Sequence, residues 1–249
     1  MKNTKSILAV LTISVFLSIV CISFNSCSKD SSSTPSYECT TCASTPDALA
    51  ENDGSAKGVY KGIVVGSSGS LYIDIQNGTD LITGTLIIDG VSVALTSSVS
   101  YVSGQPYVAP FTGIYNGSPI SITFSVGLSG GTPTVTSSDI PGHPNTVFTL
   151  YKETSTSLIE AFEGGYTKPG KTGTFNILLS RGLNLWGGIA KGNEAGAEVD
   201  EIDGTIDSSN RLIESSNGTI LGTLSGDEIN GSFQDGNGDT VTIHGERTL

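Results

Sequence analysis

The chain has 249 residues, with 24 Asp and Glu against 12 Lys and Arg, a formal net charge of −12. So acidic a balance argues against the counterion-displacing attraction that holds proteins on nucleic acid and against a basic face that adheres to anionic lipid. Charged residues are only 14 % of the chain and hydrophobic residues 37 %, so a core can form and the compositional signature of disorder is absent.

Residues 1–26 have the layout of an export signal. Lys2 and Lys5 make a basic start, followed by an apolar run from Ile7 to Phe24 interrupted by Thr12, Ser14, Ser18 and Ser23. That order is secretory. The run is long enough for a spanning helix, so the residues behind it decide: Phe24-Asn25-Ser26-Cys27-Ser28-Lys29-Asp30. A small residue before a cysteine at the end of the apolar run resembles the lipobox of bacterial lipoproteins. The resemblance implies cleavage before Cys27, diacylation of its sulfur and acylation of the new amine. Cys21, behind the bulky Val20, fits less well. The polar Ser-Lys-Asp-Ser tract after Cys27 is similar to that of exported lipoproteins of the Bacteroidetes, which implies a lipid-anchored protein of the outer membrane, periplasmic or surface-exposed. Three acyl chains would suffice, since stable anchoring takes more than one. Cleavage would leave 10 Lys and Arg against 24 Asp and Glu, a charge of −14. The acyl chains, not the protein surface, would then hold the molecule on an anionic membrane.

Residues 27–56 are rich in Ser, Thr, Pro, Ala, Asp and Asn and lack periodicity, the composition of a flexible tether. Within it stands Glu38-Cys39-Thr40-Thr41-Cys42. In an exported protein these two thiols are expected to form a local disulfide. A redox role would need a helix N-terminus in a βαβ setting, and no such pattern surrounds them. No second Cys or His pair completes a zinc site.

From Lys57 onward short runs alternate apolar and polar residues between glycines. The clearest is Gly69–Ile75, with Leu71, Ile73 and Ile75 on one face; similar runs are Leu81–Ile88, Val91–Val102, Pro119–Val126 and Thr146–Tyr151. Asn77-Gly78, Asn116-Gly117 and Asn217-Gly218 signal turns, and Asn230-Gly231 fits either a turn or a strand interior. Helix signals are nearly absent. The chain is expected to be all-β and mostly antiparallel.

An internal repeat organises it. Gly69–Ile75 is echoed by Gly173–Leu179, and Gly84-Thr85-Leu86 by Gly188-Ile189-Ala190 at the same offset. Gly113–Gly117 with Ile120–Phe124 aligns with Gly222–Gly226 and Ile229–Phe233, and Asn145–Leu150 with Asp239–His244. The openings match as Gly58-Val59-Tyr60 and Gly164-Gly165-Tyr166. Two related halves follow, residues 57–153 and 161–249, joined by a linker over 154–160. Each has about seven or eight short strands, which fits a meander curling into a small barrel; a single β-sandwich is the alternative. The pattern loosely resembles lipocalin-like or avidin-like barrels and more closely the glycine-rich β-lipoproteins of Bacteroidetes. A transmembrane barrel is disfavoured, because outward positions are often Ser, Thr, Asp or Asn and aromatic girdles are missing.

Candidate sites are few. Asp235-Gly236-Asn237-Gly238-Asp239 spaces its oxygens like the start of a calcium loop, with Glu246 at the twelfth position. Thr240 stands where that loop needs glycine, and a plain hairpin accounts for the same residues. The acids Glu194, Glu198, Asp200, Glu201 and Asp203 read as a solvated face. His143 lies in the Pro141–Pro144 turn and His244 beside Glu246, with no nucleophile elbow to serve either. Two stretches without counterpart, Leu128–Pro144 and Lys191–Asp203, are expected as insertions, where recognition is commonly placed. Tyr60, Tyr72, Phe124, Phe175 and Trp186 are core or pocket candidates. Trp186, next to Gly187, is the one expected at a barrel mouth with its N–H seeking a partner.

The expected function is a non-enzymatic, lipid-anchored binding or structural accessory module that meets a protein, glycan or small hydrophobic ligand, and not nucleic acid. The alternative is an extracytoplasmic hydrolase acting on polysaccharide, which would show two carboxyls about 5–10 Å apart in a cleft. A dry apolar cavity inside either half would instead favour a small molecule. Two filled interiors would leave only a scaffold.

Overall fold

The computed structural model describes residues 36–65, 69–144 and 146–249. Residues 1–26 and Cys27, the expected signal and lipid site, lie outside them. The described part is all-β, with sixteen strands and one 3-10 turn at Ala50–Asn52. The first half runs β1 (Gly58–Val65), β2 (Gly69–Ile75), β3 (Ile82–Ile88), β4 (Val91–Thr96), β5 (Tyr107–Tyr115), β6 (Ser118–Val126), β7 (Thr134–Asp139) and β8 (Val147–Lys152). The second runs β9 (Glu160–Lys168), β10 (Lys171–Ser180), β11 (Leu185–Gly192), β12 (Val199–Ile206), β13 (Arg211–Glu214), β14 (Ile220–Ser225), β15 (Glu228–Gln234) and β16 (Thr240–Arg247).

Each half is an antiparallel meander whose eighth strand returns to pair with its first. The second closes completely. The first curls into a barrel that has no ladder between β7 and β8, where the Ser138 hydroxyl donates to the Thr146 carbonyl. Two related small barrels, not one sandwich, are the architecture. The run expected over Val91–Val102 ends at Thr96, and beyond it Val99 and Val102 face solvent. Asn116-Gly117 makes the β5–β6 turn with both residues at positive φ. Asn230-Gly231 lies inside β15.

The repeat is visible in strand register. Ile73 stands opposite Gly84, and Ile177 opposite Gly188; Leu71 faces Leu86, and Phe175 faces Ala190. A Cβ on Gly84 would crowd the Tyr72 carbonyl oxygen, and one on Gly188 would crowd that of Asn176, the equivalent residue. The same close approach of strands therefore demands glycine twice. The opening match needs correction. Gly62 lies opposite Leu71 and Gly164 opposite Phe175, so Gly62, not Gly58, is the counterpart of Gly164. A side chain at either would strike the closing strand, at the carbonyl of Thr149 or of His244.

The two stretches without counterpart carry strand as well as loop. Leu128–Pro144 contains β7, and Lys191–Asp203 contains the end of β11 and the start of β12. Strand β7 escaped the alternation argument because its Thr-Val-Thr-Ser-Ser-Asp has only one apolar residue and lies largely exposed. The matched hairpins β5–β6 and β14–β15 consequently differ in rank, fifth and sixth against sixth and seventh.

Residues 37–56, expected within a flexible tether, are held on the body instead. The Tyr37 and Cys39 amides donate to Glu228 and Asp227 at 2.7 and 2.9 Å, and Tyr37 Oη donates to the Arg247 carbonyl. Further along, the Asp47 amide donates to Glu153 and the Asn77 side chain to the Asp47 carbonyl. The segment thus straps one end of the second barrel and passes to the first. Cys39 and Cys42 are joined as a disulfide within it.

Candidate functional site

The two barrels differ in what they enclose. In the first, Tyr60, Phe111 and Phe124 are fully buried and meet edge to face, with Leu71, Ile73 and Leu86 filling the rest. Tyr60 Oη donates to the Ala56 carbonyl at 2.8 Å, which satisfies its polar end. The end bearing the β3–β4 and β5–β6 turns is stoppered by His143, whose Nε2 lies 3.2 Å from Asp89 and 3.5 Å from Tyr115 Oη. This interior is packed.

The second barrel holds a cavity of about 700 Å³, open at the end of the β9–β10, β11–β12, β13–β14 and β15–β16 connections. Its depth is apolar: Phe175, Ile177, Trp186, Leu212, Ile229 and Ile243. Size and lining suit a small organic ligand, since pockets of about 300–1,000 Å³ with apolar walls and a few polar groups are the usual form. Register explains part of the room, because Ala190 stands where the first barrel has Leu86.

Glycines explain more. A Cβ on Gly204 would lie 2.7 Å from Cζ2 and Nε1 of Trp186, and one on Gly245 2.7 Å from Cζ of Phe175. Both rings therefore lie over backbone that carries no side chain, flat against the wall instead of across the lumen. Trp186 is 5 % exposed, and its Nε1 donates to the Thr205 carbonyl at 3.1 Å, so the indole is pinned. Its expected partner is found. The ring sits deep in the cavity, however, and not at the mouth.

Charge is arranged by end. The floor is an ion cluster: Arg181 reaches Glu160 through Nε at 2.8 Å, and Arg247 Nη1 stands 3.2 Å from Glu160 and 3.4 Å from Asp227. Arg247 also donates to the Ala43 carbonyl of the strap. At the open end Lys168 and Asp235 meet at 2.9 Å. Each holds the other charged: the shared hydrogen bond raises the Lys168 ammonium above its ordinary range and lowers the Asp235 carboxyl. Asp200, Glu201 and Glu214 complete the charged part of the lining.

Asp235 and Asp239 turn the β15–β16 hairpin. Asp235 Oδ1 accepts the amides of Asn237 and Asp239, and its Oδ2 accepts Lys168. Glu246 lies seven residues beyond Asp239, at the far end of β16, roughly 20 Å along the strand, near His244. The calcium candidates Asp235, Asn237, Asp239 and Glu246 are thus not brought together, because Thr240 continues into strand instead of turning. Among the described residues no group of three or more His, Cys, Asp or Glu side chains is placed to hold a metal. His244 lies on the surface, its Nδ1 2.8 Å from Asn230 Oδ1. Of the acids read as one solvated face, Asp200 and Glu201 reach the cavity while Glu194 pairs with Lys171 at 3.4 Å. Tyr60 and Phe124 belong to the packed barrel, Phe175 and Trp186 to the hollow one. Tyr166, Lys168 and Glu214 were missed; the alternation of β9 and β13 places them on the inner face once Phe162 and Leu212 are recognised as core.

The sequence matches no family model, no curated protein and no solved structure.

Proposed function

We propose that this protein is a lipid-anchored binding module whose second barrel takes up a small, largely apolar molecule, while the first barrel and the strap serve as its support. The open cavity carries this reading. An interior of that size is costly to leave unfilled, and the first barrel, which has Leu86 at the position of Ala190, is packed. Anchoring at Cys27 in the outer membrane rests on the lipobox resemblance. It agrees with the strap meeting the second barrel at its closed end, which leaves the mouth free.

A thermal-shift experiment tests the cavity. A neutral aromatic alcohol such as 3-phenylpropanol should raise the melting temperature of the native chain and change Trp186 fluorescence. Ala190→Leu, which restores the side chain of the first barrel, should fold and lose both responses. Equal responses in the two proteins would place binding elsewhere. For the anchor, mass spectrometry of the mature protein should find Cys27 as a triacylated N-terminus; an unmodified Cys27 would remove that half of the proposal.

A further inference from the structure

We propose that the ligand of the second barrel is an organic cation, with an aromatic or otherwise apolar body seated against Trp186 and Phe175 and a positively charged group held by Glu214 and Asp200. The inference rests on the cavity being a ligand site and names the class of molecule it takes. Three observations support it.

The first is the charge balance of the lining. Its single cation, Lys168, is engaged by Asp235 at 2.9 Å. That pair leaves Asp200, Glu201 and Glu214 as the remaining charged groups. Among the described residues, neither Asp200 nor Glu214 has an ion pair or side-chain hydrogen bond. An anionic ligand would bring like charge directly against these carboxylates, Asp200 exposed at the rim and Glu214 half-buried near Trp186, at a range shorter than the screening length.

The second is which way they face. Asp200 stands opposite Ala190, and Glu214 opposite Gly204. Directly opposed residues of an antiparallel pair share a face of the sheet. Ala190 lines the cavity and Gly204 underlies Trp186, so both carboxylates belong to the inner wall.

The third is the neighbour of Glu214. Trp186, Gly204 and Glu214 form one cross-strand row over β11, β12 and β13. Because the middle member lacks a side chain, the indole lies over Gly204 and extends toward the strand that carries Glu214. An aromatic face beside a carboxylate is the combination that attracts an ammonium, by the ring quadrupole and by charge together. A neutral ligand would use only the rings, and an anion would find no free donor of charge.

The test uses three probes sharing one ring: 3-phenylpropyltrimethylammonium, 3-phenylpropanol and 3-phenylpropanoate. Each is titrated against the lipidated full chain in electrically neutral nanodiscs. Trp186 is the chain's one tryptophan, so its fluorescence reports the cavity. The cation should bind about tenfold more tightly than the alcohol, and the alcohol more tightly than the carboxylate. Glu214→Gln should cost the cation about tenfold and leave the alcohol unchanged, and Asp200→Asn should act in the same direction. If the carboxylate binds as well as the cation, or if the two variants leave the order of affinities unaltered, the cationic class is wrong while the cavity remains a site. If none of the three binds, the cavity itself is not a ligand site and both proposals fall.

Discussion

Glu153 is fully buried and surrounded by donors. Its Oε1 accepts the Asp47 amide at 2.6 Å, and its Oε2 accepts Lys61 Nζ at 2.7 Å and the Ile159 amide at 2.9 Å. Those donors come from the strap, from β1 and from the segment leading into β9, so one carboxylate ties three separate stretches of chain. A buried pair of this kind is weak evidence of net stability, because desolvation offsets much of the attraction. Breaking it is another matter. Glu153→Ala leaves buried Lys61 with only the half-exposed Asp47, 3.3 Å away, and strands two amides, so unfolding by urea should show a loss of about 2–4 kcal/mol. Adding Lys61→Met to Glu153→Leu removes both charges and should recover part of that loss. If Glu153→Ala costs no more than the double variant, the pair is not what holds the strap and linker together. Nothing in the sequence marked Glu153; it stands after a strand of ordinary appearance, and only the fold reveals what converges on it.

Strands were legible where a buried face shows as unbroken alternation of apolar residues, although β5, which buries Tyr107, Ala109 and Phe111 around Pro110, was not among the alternating runs. Gly69–Ile75 alternates Leu71, Ile73 and Ile75 inward, and the structure has that strand with the same ends. Strand β10 is buried on both faces from Phe175 to Ser180, and its near-continuous apolar run is the mark of that position. Strand β7 was illegible for the opposite reason, having neither face buried. Glycine spacing conveyed more than composition did, because Gly84 and Gly188 answer to one constraint, the carbonyl of the neighbouring strand. Gly188→Ala should therefore destabilise the protein by about 1–3 kcal/mol through overpacking, measured by denaturant titration, and Gly84→Ala should do the same in the first barrel. Glycine at Gly236 meets nothing within 4 Å where a Cβ would stand. Gly236→Ala should lie within about 0.5 kcal/mol of the parent. A cost at Gly236 equal to that at Gly188 would mean that backbone freedom, and not the approach of strands, governs these positions. What the repeat could not convey was that one copy is hollow. That difference lies in side-chain volume at equivalent positions, Leu86 against Ala190, and in rings folded over Gly204 and Gly245. The match of Gly84–Leu86 with Gly188–Ala190 already set Leu86 against Ala190, but the pairing that lays the rings over Gly204 and Gly245 appears only in the fold.

At the scale of the molecule, the barrels share a wall. Outward residues of β1, β9, β10 and β11 meet there, with Ile63 fully buried among Ile159, Ala161, Leu178 and Ile189. Asn176 Nδ2 donates to the Val64 carbonyl at 2.9 Å across the same contact, so its amide is satisfied where water is excluded. The strap adds a second connection, since Arg247 at the floor of one barrel and Lys152 at the corresponding end of the other both donate to its carbonyls, at Ala43 and at Asn52. By register these two bases are equivalents, Lys152 opposite Tyr60 and Arg247 opposite Phe162 at the ends of β8 and β16, one residue away from the match of Asn145–Leu150 with Asp239–His244, and each closes its barrel against the incoming chain. A shared apolar wall and a common strap couple the unfolding of one barrel to that of the other. Scanning calorimetry of the mature chain should accordingly give one transition whose van't Hoff and calorimetric enthalpies agree. Trp186 fluorescence, reporting the second barrel, should change at the same temperature as the near-ultraviolet signal of tyrosines such as Tyr60 and Tyr107 in the first. Leu178→Ala empties part of the wall and should lower that single transition by about 2–4 kcal/mol of stability without splitting it. Two separated transitions in the parent chain, with Trp186 following only one, would show that the barrels stand independently and that the filled one is no support for the hollow one.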